Sequence, residues 1–227
     1  MHFFALAAWI ASTVLLVSAA PTQQYECDVS RAKLELPDNQ TAVTIPDDAK
    51  PEYIALAIGT QNYTCTNGGT YRSDGAVSTL IDISCLYKSD PDLFNDVQDS
   101  AYKLLLKSEN NTPSSDRIED IIGYYPYTLG EHYFIPLNGA IAPKFDFAVS
   151  QKGDYNAFTV GRQLGGIPSP NGTQNIDWLQ LESVDGHLSK YVFRVDTHGG
   201  QPPESCNSLN EDQDIQVPYT AKYWFYS

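Results

Sequence analysis

Basic residues are scarce in this chain. Across 227 residues, 14 Lys and Arg face 28 Asp and Glu, a formal net charge of −14. Duplex binding rests on clustered cations that displace counterions from phosphates, so the balance argues against a nucleic-acid partner. An anionic membrane surface is disfavoured for the same reason. Charged residues are only 19% against 42% hydrophobic, too apolar a mixture for a disordered chain. Several chemical signatures are also missing. No CxxC pair marks a structural zinc site, and no G-x-S-x-G elbow marks a serine nucleophile. What is present in quantity is aromatic: 12% of the chain, with 15 Tyr, a composition that favours β structure over a helical bundle.

The first twenty residues contain no Asp, Glu, Lys or Arg. An apolar run from Phe3 to Val17 ends in Ser18-Ala19-Ala20-Pro21, which reads as a signal peptide over 1–20. That run is short for a membrane span. The expectation is a secreted protein, extracellular or at the cell surface, with no membrane attachment once the leader is cleaved. Cys27, Cys65, Cys85 and Cys206 all stay in the mature chain, an even set suited to disulfides, with three connectivities open. Asn39, Asn62, Asn110 and Asn171 each begin an Asn-x-Thr glycosylation triplet. Asn39, Asn110 and Asn171 lie in turn-like contexts, whereas Asn62 falls in a strand-like run.

Residues 21–50 are polar and punctuated by prolines, an extended lead-in to a single β-rich domain over 21–227. Tyr53–Gly59 alternates, with Ile54, Leu56 and Ile58 on one face, as a half-buried strand should. Gln61–Thr66 and Val77–Ser84 read as further strands, separated by Asn67-Gly68-Gly69 and Asp74-Gly75 turns. An insertion at about 88–122 breaks the pattern. Asp90 and Pro91 suit an N-cap and first helical position, and apolar residues then recur every three or four positions. This predicts a helix over about 90–107, followed by a loop over Ser108–Arg117. In the second half, Trp178–Val184 meets His187–Asp196 across Asp185-Gly186. A two-residue type I′ turn there pairs Val184 with His187, Gln180 with Tyr191 and Trp178 with Phe193. In the last strand Val217, Tyr219, Ala221, Tyr223 and Phe225 share one side, and Pro218 marks a sheet edge. The predicted fold is mainly β: an antiparallel β-sandwich or flattened barrel with one packed helix.

Several segments carry a likeness. They are Gly59-Thr60-Gln61-Asn62-Tyr63-Thr64-Cys65, Gly130-Glu131-His132-Tyr133-Phe134 and Pro143-Lys144-Phe145-Asp146-Phe147. Arg194 through Pro203 follows, with a Cys shortly after, and then Val217-Pro218-Tyr219-Thr220-Ala221 before an aromatic end. In these the chain resembles a secreted fungal and bacterial family of unknown function, whose fungal members are often labelled malate dehydrogenase. The resemblance covers nearly all of the mature chain and brings no catalytic residues with it. It does imply a disulfide pairing, since bacterial members keep cysteines matching Cys65 and Cys206. Cys65–Cys206 and Cys27–Cys85 follow from it, against a competing Cys65–Cys85 and Cys27–Cys206. The dehydrogenase label is rejected on chemistry. A dinucleotide site needs a strand, a G-x-G-x-x-G turn and a helix, and Gly161-Arg162-Gln163-Leu164-Gly165-Gly166 has neither the spacing nor the helix.

Three constellations remain as candidates. His132, Asp196 and His198 would form a metal-binding or acid–base set if the fold joined them, as a secreted hydrolase or metal-dependent enzyme would require. His187, beside a turn, is expected in solvent. Carboxylate pairs such as Glu131 with Asp146 or Asp196 would suit glycoside hydrolysis, but 28 acidic residues make some pair inevitable. Tyr124, Tyr125 and Tyr127 sit in a proline-broken loop and would offer rings to a sugar or small ligand. The expected role is a non-enzymatic binding domain for a carbohydrate or small ligand, without cofactor or metal. A secreted effector or wall-associated structural protein is the third reading.

Overall fold

The computed structural model describes residues 27–108, 113–207 and 214–227. The signal peptide expected over 1–20 and the Asn110 triplet lie outside them. The elements in order are β1 (Pro51–Cys65), β2 (Tyr71–Asp82), α1 (Leu86–Ser89), α2 (Pro91–Leu105) and α3 (Ser115–Ile122). There follow β3 (Thr128–Leu137), β4 (Ala140–Asp146), β5 (Phe158–Ile167), β6 (Trp178–Asp185), β7 (Tyr191–Gly199) and β8 (Asp214–Tyr226). Each strand pairs antiparallel with the next, and β8 returns to pair with β1, closing an eight-stranded barrel. The architecture is a barrel and not a sandwich. Closure comes from the two longest strands, β1 and β8, which pair from Tyr53↔Phe225 to Thr64↔Asp214.

Closure also corrects the half-buried reading of the first strand. Ile54, Leu56 and Ile58 do share a face, but Ala55 and Ala57 are equally buried on the other. The alanines face the lumen, where Phe145, Phe147, Tyr219, Tyr223 and Phe225 pack with Leu80 and Val192. Small residues on one wall leave room for rings from the opposite wall, since an eight-stranded barrel is only wide enough for its own side chains or one small ligand. As the alternation in β8 requires, Tyr219, Ala221, Tyr223 and Phe225 all point inward.

A second core lies outside the barrel. Phe94, Val97, Ala101 and Leu105 of α2 and Ile118 and Ile122 of α3 cover Ile54, Leu56, Phe193, Val195 and Trp224. Trp224 meets Tyr87 and Phe94 edge-on at 5.8 and 6.0 Å between centroids, each such pair adding about 1 kcal/mol to area burial. The α2 helix forms where expected, with Asp90 Oδ1 accepting from Leu93 N at 3.0 Å ahead of Pro91. The loop expected over Ser108–Arg117 is cut short, because α3 begins at Ser115 and ends on Gly123 at φ 77°. Residues 27–50 run largely without regular structure over the outer wall. There Thr44 N donates to Gln180 Oε1 at 2.8 Å, and the Ala42 carbonyl occupies the space a Cβ on Gly165 would need.

The Asp185-Gly186 turn is not the expected two-residue link. β6 and β7 pair as Gln180↔Phe193 and Glu182↔Tyr191, two positions from the expected register. Side chains therefore keep their predicted faces, because a slip of two preserves alternation. Asp185 lacks the positive φ that a type I′ turn needs, and the longer loop is pinned by tertiary contacts. His187 N donates to Asn156 O, Leu188 N donates to Phe158 O, and Leu188 is buried. The two-residue turn with both φ positive instead occurs at Asn138 (52°) and Gly139 (83°), between β3 and β4. Pro218 does sit where β8 loses a neighbour: its carbonyl accepts from Gly200 N just past the last β7–β8 pair. Disulfides join Cys27 to Cys85 and Cys65 to Cys206, the pairing the resemblance implies. Among the described residues no helix is long and apolar enough to cross a membrane. Together with the disulfides, this is compatible with an extracellular protein.

Candidate functional site

One seam of the barrel is short. β4 and β5 pair at only three positions, Asp146↔Phe158, Phe145↔Thr159 and Lys144↔Val160. The neighbouring ladders continue much further, to Leu137↔Ala140 on one side and Ile167↔Trp178 on the other. Beyond Lys144 and Val160 the β3–β4 hairpin therefore leaves the β5–β6 sheet. A cavity of about 440 Å³ lies in this seam, with Ile141, Ala142 and Pro143 on one bank and Gly161, Gln163 and Leu181 on the other. Its floor reaches the lumen at His132, Phe145, Arg194 and Tyr223. Gly161 keeps this passage open, since a Cβ there would press on Leu181 at 3.1 Å and Pro143 at 3.3 Å.

His132 is buried and lies flat on Phe145, 4.3 Å between centroids and 8° between planes, with Phe134 and Tyr223 at 5.4 and 5.5 Å. Its Nδ1 lies 3.0 Å from Lys144 O, and a carbonyl can only accept, so Nδ1 carries the hydrogen. Burial lowers the imidazole pKa to about 4, with the Arg194 charge adding to it and the Lys144 hydrogen bond opposing. The ring is neutral at pH 7, and among the described residues Nε2 has no hydrogen bond. Arg194 faces inward from the middle of β7, and its Nε donates to Asp177 O at 3.0 Å. Deeper in the lumen Tyr219 donates to Ser78 Oγ at 3.0 Å, and Tyr63 donates to Gly200 O at 2.7 Å. Burial raises both phenols, Tyr63 to about 12.

The other sequence candidates lie elsewhere. Asp196, at φ 50° in a bulge of β7, accepts from Lys222 Nζ at 3.0 Å on the outer wall. Lys222 is buried there under α2, 4.4 Å over the Phe94 ring and 3.4 Å from Asn95 O. Burial lowers its pKa, and Asp196 works against that. His198 also faces α2, with Nδ1 3.8 Å from Asp99 Oδ1. His132 is thus inside the wall while Asp196 and His198 are outside it. Among the described residues no three His, Cys, Asp or Glu side chains are grouped to hold a metal ion. Glu131 and Asp146 are cross-strand neighbours on the outer face, where Asp146 pairs with Lys144 at 2.8 Å and accepts from Tyr133 at 3.0 Å.

In the tyrosine loop, Tyr124 donates to Asp82 O at 2.9 Å and packs on the outer core, while Tyr127 packs on the inner one. Burial pushes the Tyr124 phenol up. Tyr125 is exposed, at 72%. His187 is exposed at its turn. Of the described glycosylation triplets, Asn39 and Asn171 start theirs on exposed turns and Asn62 lies half-buried in β1.

Sequence reading missed Arg194, Tyr223, Phe145 and the seam itself. The available signal was the alternation of β7 and β8, which puts Arg194 on the same side as Val192 and Tyr223 on the same side as Tyr219.

Residues 46–227 match a family described as protein of unknown function (DUF3455), and the chain belongs to that family. No curated protein and no solved structure gives a significant match.

Proposed function

We propose that this is a secreted, non-enzymatic binding protein that takes one small, largely apolar ligand into the seam cavity of its barrel. The observation that carries the reading is the cavity itself, which reaches from the surface to a floor of stacked rings. Its volume of about 440 Å³ falls in the range for drug-sized ligands, roughly 300–1,000 Å³. Its walls are aliphatic and aromatic, with few polar groups to orient a guest, as small-molecule sites usually are. A carbohydrate surface on the tyrosine loop has less support, since Tyr124 and Tyr127 are turned inward. The apolar leader and two disulfides support export.

The test is a titration with N-phenyl-1-naphthylamine, a neutral dye that brightens in apolar surroundings. One equivalent should bind per chain. Gln163→Trp, an exposed position on the bank of the cavity, should weaken it by about tenfold by filling the entrance. Absence of binding, or binding indifferent to Gln163→Trp, would overturn the reading.

A further inference from the structure

We infer that the seam cavity selects ligands bearing one acidic group, a carboxylate or sulfonate on an apolar body, and that Arg194 receives that group. The inference rests on the binding reading above and adds the ligand class.

The cavity and the chain as a whole differ in charge. The chain carries 28 Asp and Glu, yet among the described residues none of them lines the cavity, where two arginines and a histidine do. Of those arginines, Arg162 at the rim is paired with Glu182 on the outer face. Lys144 points away, to Asp146. Among the described residues no carboxylate lies within ion-pair distance of Arg194. Its neighbours in the lumen do not neutralise it either, because His132 is uncharged at pH 7 and the buried phenols of Tyr63 and Tyr219 keep their protons.

A guanidinium without a counter-ion in a partly buried site is costly unless something pairs with it. Here its geometry is already prepared. The Asp177 carbonyl holds Nε, which leaves the terminal nitrogens to meet two oxygens of an acid side by side. Phe134, Phe145 and Tyr223 supply the apolar surface beside it, and His132 Nε2 remains as an acceptor for a hydroxyl or N–H elsewhere on the guest.

The experiment compares 8-anilinonaphthalene-1-sulfonate with N-phenyl-1-naphthylamine, which share an aryl frame and differ in the sulfonate, at pH 7 and low salt. The purified protein should bind one equivalent of the anionic dye about tenfold more tightly than the neutral dye, against the repulsion of a net charge of −14. Arg194→Gln should erase that preference, bringing the two dyes within about twofold of each other, and one equivalent of either dye still binding reports an intact cavity. Arg194→Lys, retaining charge without the fork, should keep part of the preference. Equal or weaker binding of the anion to the unaltered protein overturns the inference while leaving the binding reading in place. So does a preference that survives Arg194→Gln. If neither dye binds, both fall. If Arg194→Gln does not fold, the comparison on the unaltered protein still tests the ligand class, and a preference undiminished in Arg194→Lys overturns the assignment to Arg194.

Discussion

His132 stays uncharged because the barrel encloses it, and that has a consequence for stability. Its pKa falls from the ordinary 6.5 to about 4 on folding. Between those values the unfolded chain holds more protons than the native one, so stability rises with pH across the interval. The contribution is fully present above about pH 6.5 and is lost as the pH drops toward 4, amounting to as much as roughly 3 kcal/mol. Urea midpoints at pH 4.5, 5.5 and 6.5 should fall steeply with acid in the unaltered protein. In His132→Gln, which can still donate to the Lys144 carbonyl, they should fall much less. Parallel pH profiles for the two proteins would show that the ring is solvated, and with it that the lumen is open to bulk water at this depth.

At the level of elements, α2 is fastened to the barrel by an apolar face and by one buried cation. Lys222 reaches out of β8 under the helix to meet Asp196 at 3.0 Å. Removing one partner of such a pair strands the other, whereas replacing the cation by an apolar side chain of similar length strands nothing buried. Asp196→Asn, which tolerates the φ of 50°, should therefore cost about 2 kcal/mol, and Lys222→Met should be close to neutral, both read from denaturant midpoints. The reverse order of effects would mean that Asp196, rather than the ammonium, is the group that suffers alone. The elements also show what sequence can convey. α2 was legible because its signals are local: Asp90, Pro91 and apolar residues at helical spacing. The face of Tyr219, Ala221, Tyr223 and Phe225 was legible for the same reason. The register of β6 against β7 was not, because Asp185-Gly186 yields to contacts with Asn156 and Phe158, which lie far away in sequence. The candidate site was least legible. Arg194 and His132 are 62 positions apart and share a cavity only because the sheet closes and because β4 and β5 separate after three pairs.

For the whole molecule, closure and charge together govern behaviour in acid. A closed barrel hides its strand edges, which open sheets must otherwise protect against edge-to-edge pairing. The seam between β4 and β5 is the place where two banks part. At pH 7 a net charge of −14 keeps copies apart, but that repulsion fades toward the sequence pI of about 4.4. A solution brought from pH 7 to 4.5 at low salt should turn turbid. Two causes would act at that pH: lost repulsion, and the stability lost as His132 becomes protonated in the unfolded chain. They separate on reversal and by variant. Turbidity from lost repulsion alone clears at once on return to pH 7 and is equal in His132→Gln. Turbidity that persists, and that is smaller in His132→Gln, comes from unfolded chains. The two disulfides, closing separations of 58 and 141 residues, limit that second route by constraining the unfolded state, by about 4 and 5 kcal/mol in the chain-entropy account. Rapid clearing is therefore the expected result while they are intact, and persistent turbidity is expected once they are reduced. A solution that stays clear throughout would show that net charge does not control association of this barrel.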